Sequence, residues 1–160
     1  MTRTIETAII PAQAAPTATY ESDVVAWSRE QARLLRVGEF ARLDIEHIAD
    51  EIEDVGKSEQ RELANRMAVL LAHLLKWRFR KDRRSRSWIA TIRVQRVAVE
   101  RRLNRMPSLK ASLRDPEWWA DAWADAILQA ANETGLDVTT FSDACPWEAA
   151  DILSEDWLPE

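Results

Sequence analysis

Cysteine, glycine and long apolar runs are scarce in this 160-residue chain, which has one cysteine, Cys145, and three glycines. A lone cysteine closes no internal disulfide and supplies no cysteine-rich zinc module, so the chain suits a reducing compartment and is expected in the cytoplasm. Three glycines are far below an average usage of about 7%. That leaves too few left-handed positions for the tight turns of a sandwich or barrel, and long helices are the alternative. The longest apolar run, Met67 to Ala72, is six residues, whereas a spanning helix needs about 20. No membrane partner is expected, and Glu6 interrupts an N-terminal apolar stretch too short for a signal peptide. GxxxxGK[ST], GxGxxG, GxSxG and EF-hand patterns are missing as well, which removes the signatures of nucleotide-fold and hydrolase-fold enzymes.

What is present points to a soluble helical protein: 46% hydrophobic and 31% charged residues, with eight tryptophans. Residues 1 to 20 read as an N-terminal arm, with Pro11, Pro16 and no helical period; Ile5, Ile9 and Ile10 are available to dock. Residues 21 to 160 read as one all-α, single-domain bundle of five to six helices. The first is expected from a Ser22 cap to Val37 before Gly38, burying Val24, Trp27, Leu34 and Leu35. A second is expected from an Asp44 cap to Val55, with Ile48, Ile52 and Val55 as its apolar stripe and Gly56 as terminator. Leu63, Met67, Leu70, Leu71 and Leu74 mark a central third helix, Ser58 to Phe79, on a 3.6-residue period. A fourth, Ser87 to Met106, carries Ile89, Ile92, Val99, Leu103 and Met106; Pro107 ends it and Ser108 caps a short helix. Asp115 and Pro116 open the next helix, which runs to Thr134 before Gly135 and carries Trp119, Trp123, Ile127 and Ala130 on one side. Pro146 opens a last short helix to about Leu153.

The formal charge of -5 hides three blocks. Lys76 to Arg105 holds twelve basic residues against Asp82 and Glu100, a net +10. Asp115 to Glu160 holds twelve acids and no Lys or Arg, and Glu39 to Glu62 nets -6. Two readings compete for the basic block. Its arginines pair with acids of the second and sixth helices while the tryptophans fill the core. Alternatively, Arg78, Arg80, Arg83, Arg84 and Arg86, interleaved with Trp77, Phe79 and Trp88, hold a phosphate backbone while the aromatics stack on bases. The acidic total favours internal pairing, because nucleic-acid binders usually carry a basic domain charge.

Candidate chemistry is sparse. His47 and Glu51 stand at i and i+4, the spacing of two metal ligands on one helix face, and Asp44, Asp50, Glu53 and Asp54 surround them. His73 approaches them if the second and third helices are antiparallel. Acid-rich helix faces are common on soluble proteins, and a solvated or arginine-paired face is the plainer explanation. His73 flanks the apolar stripe and reads as a satisfied, partly buried histidine. Cys145 reads as a small buried thiol. Trp118, Trp119 and Trp123 are helically spaced and read as core, although neighbouring Trp118 and Trp119 cannot share one direction, leaving one as a partner anchor.

Several segments together resemble a known family. They are Tyr20-Glu21-Ser22-Asp23 with Trp27, Leu43-Asp44, Asp50-Glu51-Ile52-Glu53 and Val55-Gly56-Lys57-Ser58-Glu59. His73-Leu74-Leu75-Lys76-Trp77, Arg84-Ser85-Arg86-Ser87-Trp88, Thr91-Ile92-Arg93, Gln95-Arg96, Pro107-Ser108-Leu109, Glu133-Thr134-Gly135-Leu136 and Cys145-Pro146-Trp147 continue the pattern. Over residues 20 to 158 the chain resembles the bacterial family catalogued as domain of unknown function number twenty-nine. The resemblance implies an all-helical bacterial domain and no assigned activity. It marks Glu51, Glu53, His73, Lys76, Trp77, Ser87, Trp88 and Arg96 as motif positions; His47 stands where the family often has asparagine, which weakens the metal reading. With Arg84 and Arg86 these form the candidate functional surface, and Arg96 is expected to reach Glu51 or Glu53. Trp77 and Trp88 should close one end of a helical hairpin.

The reading is a non-catalytic binding or protein-interaction module without a cofactor, whose partner is another protein or a second copy. One alternative is nucleic-acid binding through Lys76 to Arg105. The other is a metal-dependent hydrolase using Glu51, Glu53 and His73.

Overall fold

The computed structural model describes residues 18–160; the proposed docking of Ile5, Ile9 and Ile10 lies outside them. The fold is all-α. Among the described residues there are five α-helices, four short 3-10 helices and no strand: α1 (Val24–Val37), α2 (Ile45–Phe79), α3 (Arg86–Arg105), α4 (Pro116–Thr134) and α5 (Ala149–Leu153). The chain divides into two compact units, one ending at Glu53 and the other running from Asp54 to Glu160.

In the first unit, Asp23 caps α1, accepting from the Ala26 N–H at 3.0 Å. Ser22, the expected cap, bonds to Thr19 instead. Asp has the same short acceptor and stands one residue nearer the first turn. Gly38 ends α1 at φ 79, where a side chain would clash with its own carbonyl. Trp27 and Leu34 are buried, whereas Val24 and Leu35 are 45% exposed, so the apolar stripe is narrower than the sequence suggests.

The two helices expected on either side of Gly56 are one 35-residue helix, α2. Glycine ends a helix only where the backbone turns left-handed, and Gly56 keeps the helical conformation. A mid-helix glycine costs about 1 kcal/mol relative to alanine, too little to break a helix whose later turns are buried. Asp44 does cap it, accepting from the His47 N–H at 3.4 Å. Ile52 and Val55, expected as core, are 68% and 67% exposed.

The second unit is the helical bundle. Leu63, Met67, Leu70, Leu71 and Leu74 of α2 are fully buried against Ile92, Val99 and Leu103 of α3 and Ala122, Trp123, Ala126 and Ala130 of α4. Contacts of Arg102 with Glu59 and of Lys76 with Trp88 place α2 and α3 side by side, antiparallel. Ser85 caps α3 through the Trp88 N–H, and the helix starts at Arg86, one residue before the expected Ser87. Pro107–Arg114 is a 3-10 helix without a side-chain cap, so Ser108 does not play the expected role. Asp115, Pro116 and Gly135 bound α4 as expected, with Gly135 at φ 73.

Candidate functional site

The motif positions fall into separate places. His73 and Lys76 lie one turn apart on α2, both buried, and a buried ammonium group needs a partner. Glu133 of α4 supplies it, with Lys76 Nζ donating to Glu133 Oε2. Lys76 Nζ also lies 4.8 Å from the Trp88 ring centre and 3.4 Å from His73 Nε2. His73 Nδ1–H donates to the Val69 carbonyl at 2.9 Å, which leaves Nε2 as the acceptor facing Lys76. Burial first, and then the Lys76 charge, pulls the His73 pKa below its ordinary value. Burial works to raise Glu133, but hydrogen bonds from Lys76 and from Gln129 at 2.9 Å outweigh it and hold the carboxyl below its usual range. Every polar group in this knot is engaged within the fold. The reading of His73 as a satisfied, partly buried histidine holds.

Arg96 departs from its expectation. Its guanidinium is buried and reaches neither Glu51 nor Glu53; it donates to three backbone carbonyls, Ile152 at 2.8 Å, Glu155 at 3.0 Å and Trp157 at 2.6 Å. Those carbonyls close the end of α5 and the extended chain after it, a segment with few helical bonds of its own. Burial lowers the Arg96 pKa, opposed by Asp156 and Glu155.

Trp77, near the end of α2, and Trp88, near the start of α3, are half-buried. Their faces are taken by cations: the Arg84 guanidinium lies 4.5 Å from the Trp77 ring centre and donates to the Trp77 carbonyl at 2.9 Å. Phe79 meets Phe141 edge to face at 5.1 Å. Stacked bases would have to displace these contacts. Ser87 Oγ lies 2.8 Å from Ser85 Oγ, and Arg86 is exposed.

Glu51 and Glu53 belong to the first unit and are exposed. Glu51 accepts from the Tyr20 hydroxyl at 2.8 Å. His47 stacks on the Tyr20 ring at 4.2 Å, and its Nδ1 lies 2.7 Å from Asp44 Oδ2, which also accepts from Trp27 Nε1 at 3.1 Å. The Asp44 hydrogen bond raises the His47 pKa, against partial desolvation. Sequence reading saw the His47 and Glu51 spacing as metal-like, yet here it serves an aromatic and carboxylate cluster joining α1 to α2. Glu51 and Glu53 stand in the first unit and His73 in the second, on the same helix α2. Among the described residues no group of three or more His, Cys, Asp or Glu side chains is placed to hold a metal ion.

The basic block is only slightly neutralised by the fold. Arg102 pairs with Glu59 and lies 3.6 Å from Glu62, and Arg80 makes a two-point contact with neighbouring Asp82. Among the described residues, Lys81, Arg86, Arg93, Arg101 and Arg105 form no ion pair. Arg93, Val97 and Arg101 recur every four residues along the outer side of α3, and Val94 and Val97 beside them are 60% and 52% exposed. At the C-terminal end of this stripe, Arg66, Arg101, Arg102 and Arg105 line a cleft of about 400 Å³ together with Glu59. The expected pairing with acids of α4 is thus restricted to Lys76 with Glu133. Sequence reading missed the valines, although their spacing from Arg93 and Arg101 was there to be seen.

No helix among the described residues is long and apolar enough to cross a membrane. A family model described as Domain of unknown function DUF29 matches residues 19–158. No curated protein and no solved structure matches the chain.

Proposed function

The chain belongs to the family Domain of unknown function DUF29, and from that premise we propose that it is a non-catalytic interaction module whose α3 outer face binds an acidic surface on a protein partner. The observation that carries this reading is the stripe of Arg93, Val94, Val97 and Arg101, exposed and, among the described residues, without acidic partners. Arginines interleaved with aliphatic side chains match the mixed character of protein interfaces, where a guanidinium pairs with carboxylates and a methyl group excludes water around it. Phosphate backbones have no use for the valines, and the indole faces that would stack on bases already carry Lys76 and Arg84. The lone cysteine suits a cytoplasmic setting.

A labelled acidic amphipathic peptide, with glutamates flanking leucines at i and i+4, tests this by fluorescence anisotropy. Binding should weaken as salt rises from about 50 to 300 mM, and R93E/R101E and V97D should each weaken it about tenfold or more. A duplex oligonucleotide that binds more tightly, and is indifferent to V97S, would move the assignment to nucleic acid.

A further inference from the structure

We propose that a second site, built from the first turns of α4 and residues 143–149, binds a small organic cation: an ammonium group carrying methyl or methylene substituents. A cleft of about 340 Å³ is lined there by Trp119, Trp123 and Trp147, with Asp143 and Glu148. The indoles are fixed in place. Trp119 Nε1 donates to the Leu113 carbonyl at 2.8 Å and Trp123 Nε1 to the Ser142 carbonyl at 2.9 Å. The Trp123 and Trp147 rings meet edge to face at 5.8 Å and 88°. Trp119 and Trp147 are half-buried, so part of each ring stays open to the cleft, whereas Trp123 is almost wholly buried. An indole face carries negative potential and attracts cations more strongly than other aromatic rings.

The charged residues that line the cleft have one sign. Asp143 and Glu148 are exposed and, among the described residues, in no ion pair; no Lys or Arg occurs between Asp115 and Glu160. A ligand fitting both features is positive in charge and apolar in body. An anion would be repelled, and among the described residues a bare metal ion would lack three converging ligands. A neutral apolar molecule would leave the two carboxylates without a role.

The test uses the full chain labelled with 5-fluorotryptophan, followed by fluorine NMR during titration with choline and, separately, with its neutral isostere 3,3-dimethylbutan-1-ol. Choline should move the Trp119 and Trp147 resonances, and the alcohol should bind about tenfold more weakly or not at all. The D143N/E148Q variant changes only exposed side chains and should weaken choline about three- to tenfold. A trimethyl-lysine peptide binding more tightly than choline would place the cation on a protein; the reverse order would make it a free small molecule. Equal binding of choline and the alcohol, or resonances unmoved by both choline and the peptide, would overturn the proposal.

Discussion

At the scale of single residues, the two histidines are tuned in opposite directions. The Asp44 hydrogen bond pushes the His47 pKa up and burial pushes the His73 pKa down, so their titrations should fall on either side of 6.5, the ordinary value. The raised pKa of His47 contributes stability that is present below 6.5 and is lost as pH rises through its folded value. The lowered pKa of His73 contributes stability that is present above 6.5 and is lost as pH falls through its folded value. Carbon-bound ring protons followed by NMR from pH 4 to 9 would show both, and two midpoints on the same side of 6.5 would contradict this account. Arg96 should be structural throughout. Arg96→Met strips three carbonyls of their donor and should cost about 2 to 4 kcal/mol in denaturant unfolding. Faster amide exchange should follow in residues 152–157, whose chain the guanidinium holds. Stability unchanged by this substitution would return Arg96 to the list of candidate binding residues.

Among the elements, the glycines separate helix ends from helix interior. Gly38 and Gly135 end their helices at positive φ, whereas Gly56 lies inside α2 with nothing within 4 Å of where a Cβ would stand. Gly56→Ala should therefore stabilise the protein by about 0.5 to 1 kcal/mol. Alanine at 38 or 135 should destabilise by about 1 kcal/mol. Urea unfolding of the three variants checks the order, and a destabilising Gly56→Ala would mean that α2 breaks there after all. Helix caps such as Asp44 and Asp115 with Pro116 were legible because their chemistry is local. The fate of Gly56 was not, because a single glycine is compatible with both a terminator and an interior, and packing of the distant Leu63 to Leu75 turns decides between them. The same limit applied to Arg96, whose carbonyl partners lie 56 to 61 residues further along the chain.

For the whole molecule, the charge blocks were legible in sequence but their pairing was not. Helical spacing places Arg93 and Arg101 on the outside of α3, but which acids they meet depends on the tertiary arrangement, in which, among the described residues, Glu133 is the one acid of α4 paired with the basic block. Among the described residues Arg93, Arg101 and Arg105 of α3 have no acidic partner, Arg102 alone being paired with Glu59 and Glu62, so they repel one another. Added salt should screen that repulsion and raise the melting temperature between about 20 and 300 mM sodium chloride. A fall would indicate that ion pairs dominate instead. If the α3 stripe is a binding surface, amide chemical-shift mapping of the acidic amphipathic peptide on the isotopically labelled protein will show it. Shifts should concentrate from Arg93 to Arg105 and vanish in R93E/R101E; shifts centred on α4, or unchanged in that variant, would mean that the stripe is not the binding surface.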